Sequence, residues 1–410
     1  MKLNQRSIIA IAVTAAPVAM AVALVLAGYS QTNGAWWTAS VQLAVLGGIT
    51  IMIYGVNVQA LPVHSGKQWR SLPLVATQVG AGIAGAWLVA LGYGWREEPL
   101  VRIGHVLAFA GAVLFLANLM LLFSGPGARP PRIAWHERTQ QQKVDRLAIP
   151  FTMLSGLMVV VGTALTVLLD FWQPSSGRWD LVWAHVMLLG FFFPMASGTS
   201  YHMLARWSGR DFRSLRLIGL HLIAFLIGMP AMTIALAIDA DMVFRIGAIA
   251  MAVSMVAWAV NILPVAWPLA AAARGGIALA MGFMVIGIGF GVMFALDPAA
   301  GARLRSTHVV SNLFGFAGLL ISGFGYRYVP QLAGVPHICW PRLELPQLGL
   351  MTVGSGVGML FMGLRMYGHL EPEAVIWPCL VGGIGMLLFA VNAAATFGYR
   401  AETLRDNSVS

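Results

Sequence analysis

Apolar residues run along this chain in stretches of about 20, long enough to cross a hydrocarbon layer as helices, with polar residues gathered in the gaps between them. The pattern predicts twelve membrane-spanning helices, near 8–28, 38–61, 73–94, 101–123, 147–169, 181–205, 215–238, 243–269, 275–296, 304–329, 347–366 and 374–397. One stretch organises the others. Trp183 to Gly209, WAHVMLLGFFFPMASGTSYHMLARWSG, places His185 and His202 within an apolar run, where ionisable groups are rare and usually functional.

That stretch recurs. Moving back 143 positions aligns Gly47, Gly55 and Gly66 with Gly190, Gly198 and Gly209, and Arg70-Ser71-Leu72 with Arg213-Ser214-Leu215. Moving forward 125 positions aligns Gly315, Gly323 and Gly334 with the same glycines. Ile103-Gly104 and Asn118 repeat as Ile246-Gly247 and Asn261, and Asn392 closes the last span at a similar point. Twelve spans in three copies give four helices per copy. An even number points every copy the same way through the bilayer, which relates them by an axis along its normal. The expected fold is an all-α membrane protein of three pseudo-repeated four-helix arcs, 1–124, 147–270 and 275–397, in a single membrane domain with 125–146 as a cytoplasmic linker.

Composition agrees. Charged residues make up 10% of the chain and hydrophobic ones 59%, against roughly 25% charged in soluble domains. With the N-terminus inside, 18 of the 25 Lys and Arg fall in inner segments, among them Lys2, Lys67, Arg70, Arg129, Arg132, Arg138, Arg206, Arg210, Arg213, Arg400 and Arg405. The positive-inside rule therefore predicts both termini in the cytoplasm. The net charge of +10 reads as topology and contact with anionic lipid, not as a nucleic-acid surface. Cys339 and Cys379, the two cysteines, sit in different kinds of location and are not expected to pair. Pro17 and Met20 echo Pro150 and Met153, so the first apolar run is read as a retained helix.

Five histidines are candidates for chemistry. His185 and His308 each lie about four residues into an inward-running span, roughly 6 Å below the outer surface, and His105 starts its span at a similar level. Two imidazoles on different helices at matched depth suit an axially ligated haem iron or a copper. His202 and His221 form a second group near the inner surface; Gln59 and Gln78 match them in the first copy, as Gln42 matches His185, which favours inter-helix hydrogen bonding for these two, with haem or metal ligation and a proton path as the other readings. His64, His136, His337 and His369 fall in loops or at their edges and should be solvated.

The residues from Trp183 to Phe225 resemble the sixth and seventh helices of the haem-copper oxidase catalytic subunit, above all its oxygen-scavenging bacterial branch. In both, a Trp-x-x-His run, an aromatic pair, a basic residue and a Gly-Arg turn follow in that order. The residues Thr307 to Gly334 look like that subunit's tenth helix. The resemblance covers about 70 residues in motif and the whole chain in layout. It implies a b-type haem, with copper as a further candidate, and a place in the bacterial inner membrane. It also implies an oxidoreductase working with a cytochrome or other respiratory subunit on oxygen or nitric oxide. Carried over by position, His185 would ligate copper and His308 a high-spin haem.

This chain departs from that pattern in several places. Gln42 stands where the second helix should bring a haem histidine, Val310 where the tenth should bring a second one, and Ile227 to Met232 contains no histidine pair. A tyrosine following the helix-six ligand is also absent. The expectation is a divergent relative holding a single haem, or haem with loosely held copper, that does not pump protons. Its layout is also similar to membrane proteins of the nitric oxide response, though the Gly-His-Thr-Gly run of those proteins is missing. A cofactor-free transporter or scaffold on the same frame is the other reading.

Overall fold

The computed structural model describes residues 4–124, 134–172 and 178–409, with side chains as far as Gly398. Lys2, Arg129 and Arg132, the side chains of Arg400 and Arg405, and residues 125–133 of the expected linker lie outside the described part. Twelve helices are long and apolar enough to cross a membrane, and no strand occurs among the described residues. They are α1 Gln5–Tyr29, α2 Ala35–Ser65, α3 Leu72–Trp95, α4 Glu98–Phe123, α5 Gln140–Phe171, α6 Trp179–Ser208, α7 Leu215–Ile238, α8 Asp241–Ala266, α9 Ala271–Leu296, α10 Arg305–Ala333, α11 Pro341–Met366 and α12 Pro372–Gly398. The fold is an all-α multi-pass membrane protein, and a lipid bilayer is its surroundings.

Helix ends run past the hydropathic ones because caps, not apolarity, terminate a helix. α5 begins at Gln140 rather than near 147: Thr139 accepts from the Gln142 amide while Gln142 reaches back to the Thr139 amide. The linker expected over 125–146 is therefore shorter, its last seven residues being helix. α12 likewise continues as helix to Val409.

The offsets seen in sequence recur in backbone geometry. α2, α6 and α10 each open into a π-helix, at Leu43–Thr50, Val186–Phe192 and Ser311–Gly318, whose starts lie 143 and 125 positions apart. Side-chain hydroxyls occupy carbonyls within two of these segments: Thr50 donates to Val45 at 2.9 Å and Ser155 to Phe191 at 2.7 Å. Each of the three helices then ends on a left-handed glycine, Gly66, Gly209 and Gly334, with φ of 66°, 66° and 67°. There the absent side chain is what permits the turn.

By contacts the chain forms two compact units, one of residues 1–125, 271–284 and 303–410, the other of 126–270 and 285–302. In the first unit α3 packs on α4 and α11 on α12; in the second α7 packs on α8. All three pairs close through glycine. A methyl group on Gly85 would stand 2.7 Å from the Ala108 nitrogen and one on Gly228 2.7 Å from the Met251 nitrogen, while one on Gly354 would overlap the Gly382 backbone. Small residues let backbones approach where lipid supplies no hydrophobic drive between helices.

Polar residues lock the helix ends. The Asn261 amide takes the Ser214 N–H and donates to its carbonyl, both at 3.1 Å, and Asn392 does the same to Trp340 at 2.9 and 3.0 Å. Asn118 instead donates to Gln78 Oε1 at 2.8 Å. Arg6 meets the Phe397 carbonyl inside α12 at 2.7 Å. Cations also meet carbonyls near the C-terminal ends of α4 and α8: Lys67 on Phe123 at 2.7 Å and Arg210 on Pro264 at 3.2 Å. This is the sign that the helix dipole favours. Lys67 and Arg210 are themselves 143 positions apart.

Two substitutions test this packing. Gly354→Leu should lower the thermal midpoint of the detergent-solubilised protein by an amount matching about 1–3 kcal/mol of overpacking. Asn261→Ala should cost about 1 kcal/mol, the scale of a membrane inter-helix hydrogen bond. Unchanged midpoints would contradict the assigned contacts.

Candidate functional site

In α6 the last α-helical residue before the π segment is His185, and its Nδ1 lies 2.7 Å from the Leu181 carbonyl. A carbonyl only accepts, so Nδ1 carries the hydrogen and Nε2 keeps the lone pair that a metal requires. His185 is half-buried and belongs to the second unit.

His308 is held in the opposite tautomer. The Asn312 amide nitrogen donates to the His308 carbonyl at 2.8 Å, which fixes the amide, and the same nitrogen lies 3.3 Å from Nδ1. Nδ1 therefore accepts, and a neutral ring carries its hydrogen on Nε2. The π segments also set a register in which His185 matches Gln42 and Val310, whereas His308 matches Trp183 and Ser40. Two residues of offset move a side chain by about 3 Å along a helix and about 200° around it. His308 and His105 belong to the first unit. His105 is 2% exposed on α4, its ring edge-on to Tyr93 with centroids 6.2 Å apart.

His202 and His221 lie in the second unit, and both bond between helices. His202 Nδ1 donates to Asp145 Oδ1 on α5 at 2.9 Å. Arg206 reaches both oxygens of that carboxylate, at 3.0 and 2.6 Å, and also meets the His202 carbonyl. Gln141 adds a fourth donor to Asp145 at 2.9 Å. His221 is fully buried, its Nδ1 3.0 Å from the Tyr201 hydroxyl, with Phe151 and Phe193 packed on the ring at 4.3 and 5.4 Å between centroids. Along α6, His185 and His202 are 17 residues apart, about 25 Å, so they serve separate places.

The first unit carries glutamine where the second carries His221. Gln78 accepts from Asn118, and Gln347 accepts from the Tyr326 hydroxyl at 2.6 Å while its amide nitrogen approaches Met351 sulfur at 2.8 Å. Tyr326 stands to Gln347 as Tyr201 stands to His221, which explains the inter-helix role expected from the Gln78 match. Sequence reading missed Asp145, Tyr201, Tyr326 and Gln347. The two tyrosines lie 125 positions apart, a signal available in the repeat, whereas Asp145 is hidden in a polar run that hydropathy assigns to a loop.

His64, His136, His337 and His369 are exposed as expected. Cys339 and Cys379 are free thiols. Among the described residues no three of His, Cys, Asp and Glu converge as metal ligands. Neither protein-family models nor curated proteins match this chain. His185, with its hydrogen on Nδ1, is the residue that would hold a haem iron here. A copper held by three imidazoles has no matching donor set among the described residues, and His308 would have to exchange its bond with Asn312 before Nε2 could bind a metal.

Because glutamine fills the matching positions, His221→Gln should keep the thermal midpoint within a few degrees, whereas His221→Leu removes the buried bond to the Tyr201 hydroxyl and should cost about 1–3 kcal/mol. Equal midpoints for the two variants, followed by thermal unfolding, would refute this role.

Proposed function

We propose that this protein is a haem-holding membrane protein of haem-copper-oxidase-like layout, its three four-helix arcs set in the bacterial inner membrane with both termini in the cytoplasm. The axial ligand in this reading is His185. The observation that carries it is the Leu181 carbonyl on Nδ1, which sets the tautomer with the hydrogen on Nδ1 and the lone pair on Nε2, beside a π-helix. Metal-ligating histidines are habitually oriented by such a bond on their other nitrogen, and π segments often mark functional positions. A bound haem would supply one-electron exchange and a face for a diatomic gas, oxygen or nitric oxide, with electrons coming from a cytochrome or other respiratory subunit. The chain's own contribution is to hold the imidazole's tautomer and direction. Copper enters this proposal only as a loosely held second metal beside the haem.

A second reading, a cofactor-free transporter or scaffold on the same frame, is favoured by one observation. His308 accepts at Nδ1 from Asn312 and so stands in the tautomer that does not ligate through Nε2.

The purified protein should show a Soret band that shifts on reduction with dithionite, lost in His185→Ala and kept in His308→Ala. Equal retention in both variants would remove the ligand assignment, and a colourless wild-type protein would leave the transporter or scaffold reading. A phosphatase fused to the C-terminus should be inactive and a fluorescent protein fused there should fluoresce; the reverse would invert the topology.

A further inference from the structure

Among the buried side-chain atoms of the second unit that lack a protein partner are Gln141 Oε1 and His221 Nε2. They flank Tyr201. The Gln141 amide nitrogen donates to the Tyr201 carbonyl at 3.3 Å and to Asp145 at 2.9 Å, while the Tyr201 hydroxyl meets His221 Nδ1 at 3.0 Å. At the other end of this series Asp145 and His202 are half-buried, their side chains 25% and 20% exposed. Polar groups therefore continue from a partly wetted carboxylate and imidazole to an imidazole with no exposure.

The glutamines of the first unit set the contrast. Gln78 and Gln347 occupy the positions matching His221, and neither leaves such an atom among the described residues. A buried polar atom costs about 1–3 kcal/mol when unpaired, so an imidazole with a nitrogen to spare is a poor choice where glutamine suffices. Buried water usually meets such atoms, and needs several polar partners to do so.

We propose that the second unit binds internal water at Gln141 Oε1 and His221 Nε2, and that this hydrated thread exchanges hydrons between the Asp145–His202 pair and the buried His221. His202 is suited to the outer position because Asp145 holds its Nδ1 hydrogen, which turns Nε2 to the transfer role. Arg206 and Gln141 hold the carboxylate in place. No haem is required for this exchange, so it stands apart from the ligand assigned to His185.

Deuterium exchange at the imidazole Cε1 position, followed by mass spectrometry on the full-length protein in lipid nanodiscs, reads this directly for each histidine. In the wild type His221 should exchange while exposed His136 goes to completion. In the double variant Asp145→Asn/His202→Gln its rate should fall several-fold, with His105 in the first unit unchanged as the reference for folding. No exchange at His221 in the wild type, or the same rate in the double variant, overturns the proposal. A faster rate in the double variant also overturns it, since that is what a merely structural tie between α5 and α6 would give when broken.

Discussion

A hydrocarbon layer offers no water to a buried N–H, carbonyl or side-chain polar atom, so each must find its partner within the protein. That constraint explains most of what is unusual in this chain. Asn261 and Asn392 close on the backbone in front of α7 and α11. Lys67 and Arg210 spend their charge on carbonyls near helix ends, and Arg6 on one within α12. Even the widened turns of the π segments carry hydroxyl donors at Val45 and Phe191. Where partners run short, as at Gln141 and His221, water is the remaining candidate.

The same constraint bears on chemistry. An imidazole in lipid must satisfy one nitrogen structurally before the other can do anything else, and the partner chosen decides which nitrogen is left. Leu181 takes the hydrogen of His185 and leaves a donor; Asn312 gives one to His308 and leaves an N–H. Two histidines that sequence places at similar depth are thus prepared for different roles.

Much of the frame was legible in sequence because hydropathy and glycine report on the two things a membrane helix needs, length and close approach. The twelve spans follow from apolar runs, and Gly66, Gly209 and Gly334, picked out by spacing alone, are the left-handed ends of their helices. The π segments were not legible, since seven or eight mostly apolar residues look alike in either helical form. Helix starts were misjudged where a cap lies in polar sequence, as Thr139 does before α5. At the candidate site the histidines were visible but their partners were not. The hydrogen bond from His202 to Asp145 spans 57 positions, with no periodic pattern to mark it.

Resonance Raman spectroscopy of the ferrous protein, grown with and without 15N-histidine, tests the haem ligand most directly. An iron–imidazole stretching band that moves to lower frequency with the label and vanishes in His185→Gly is the predicted result. An isotope-insensitive spectrum, or a labelled band that survives the loss of His185, would contradict the account.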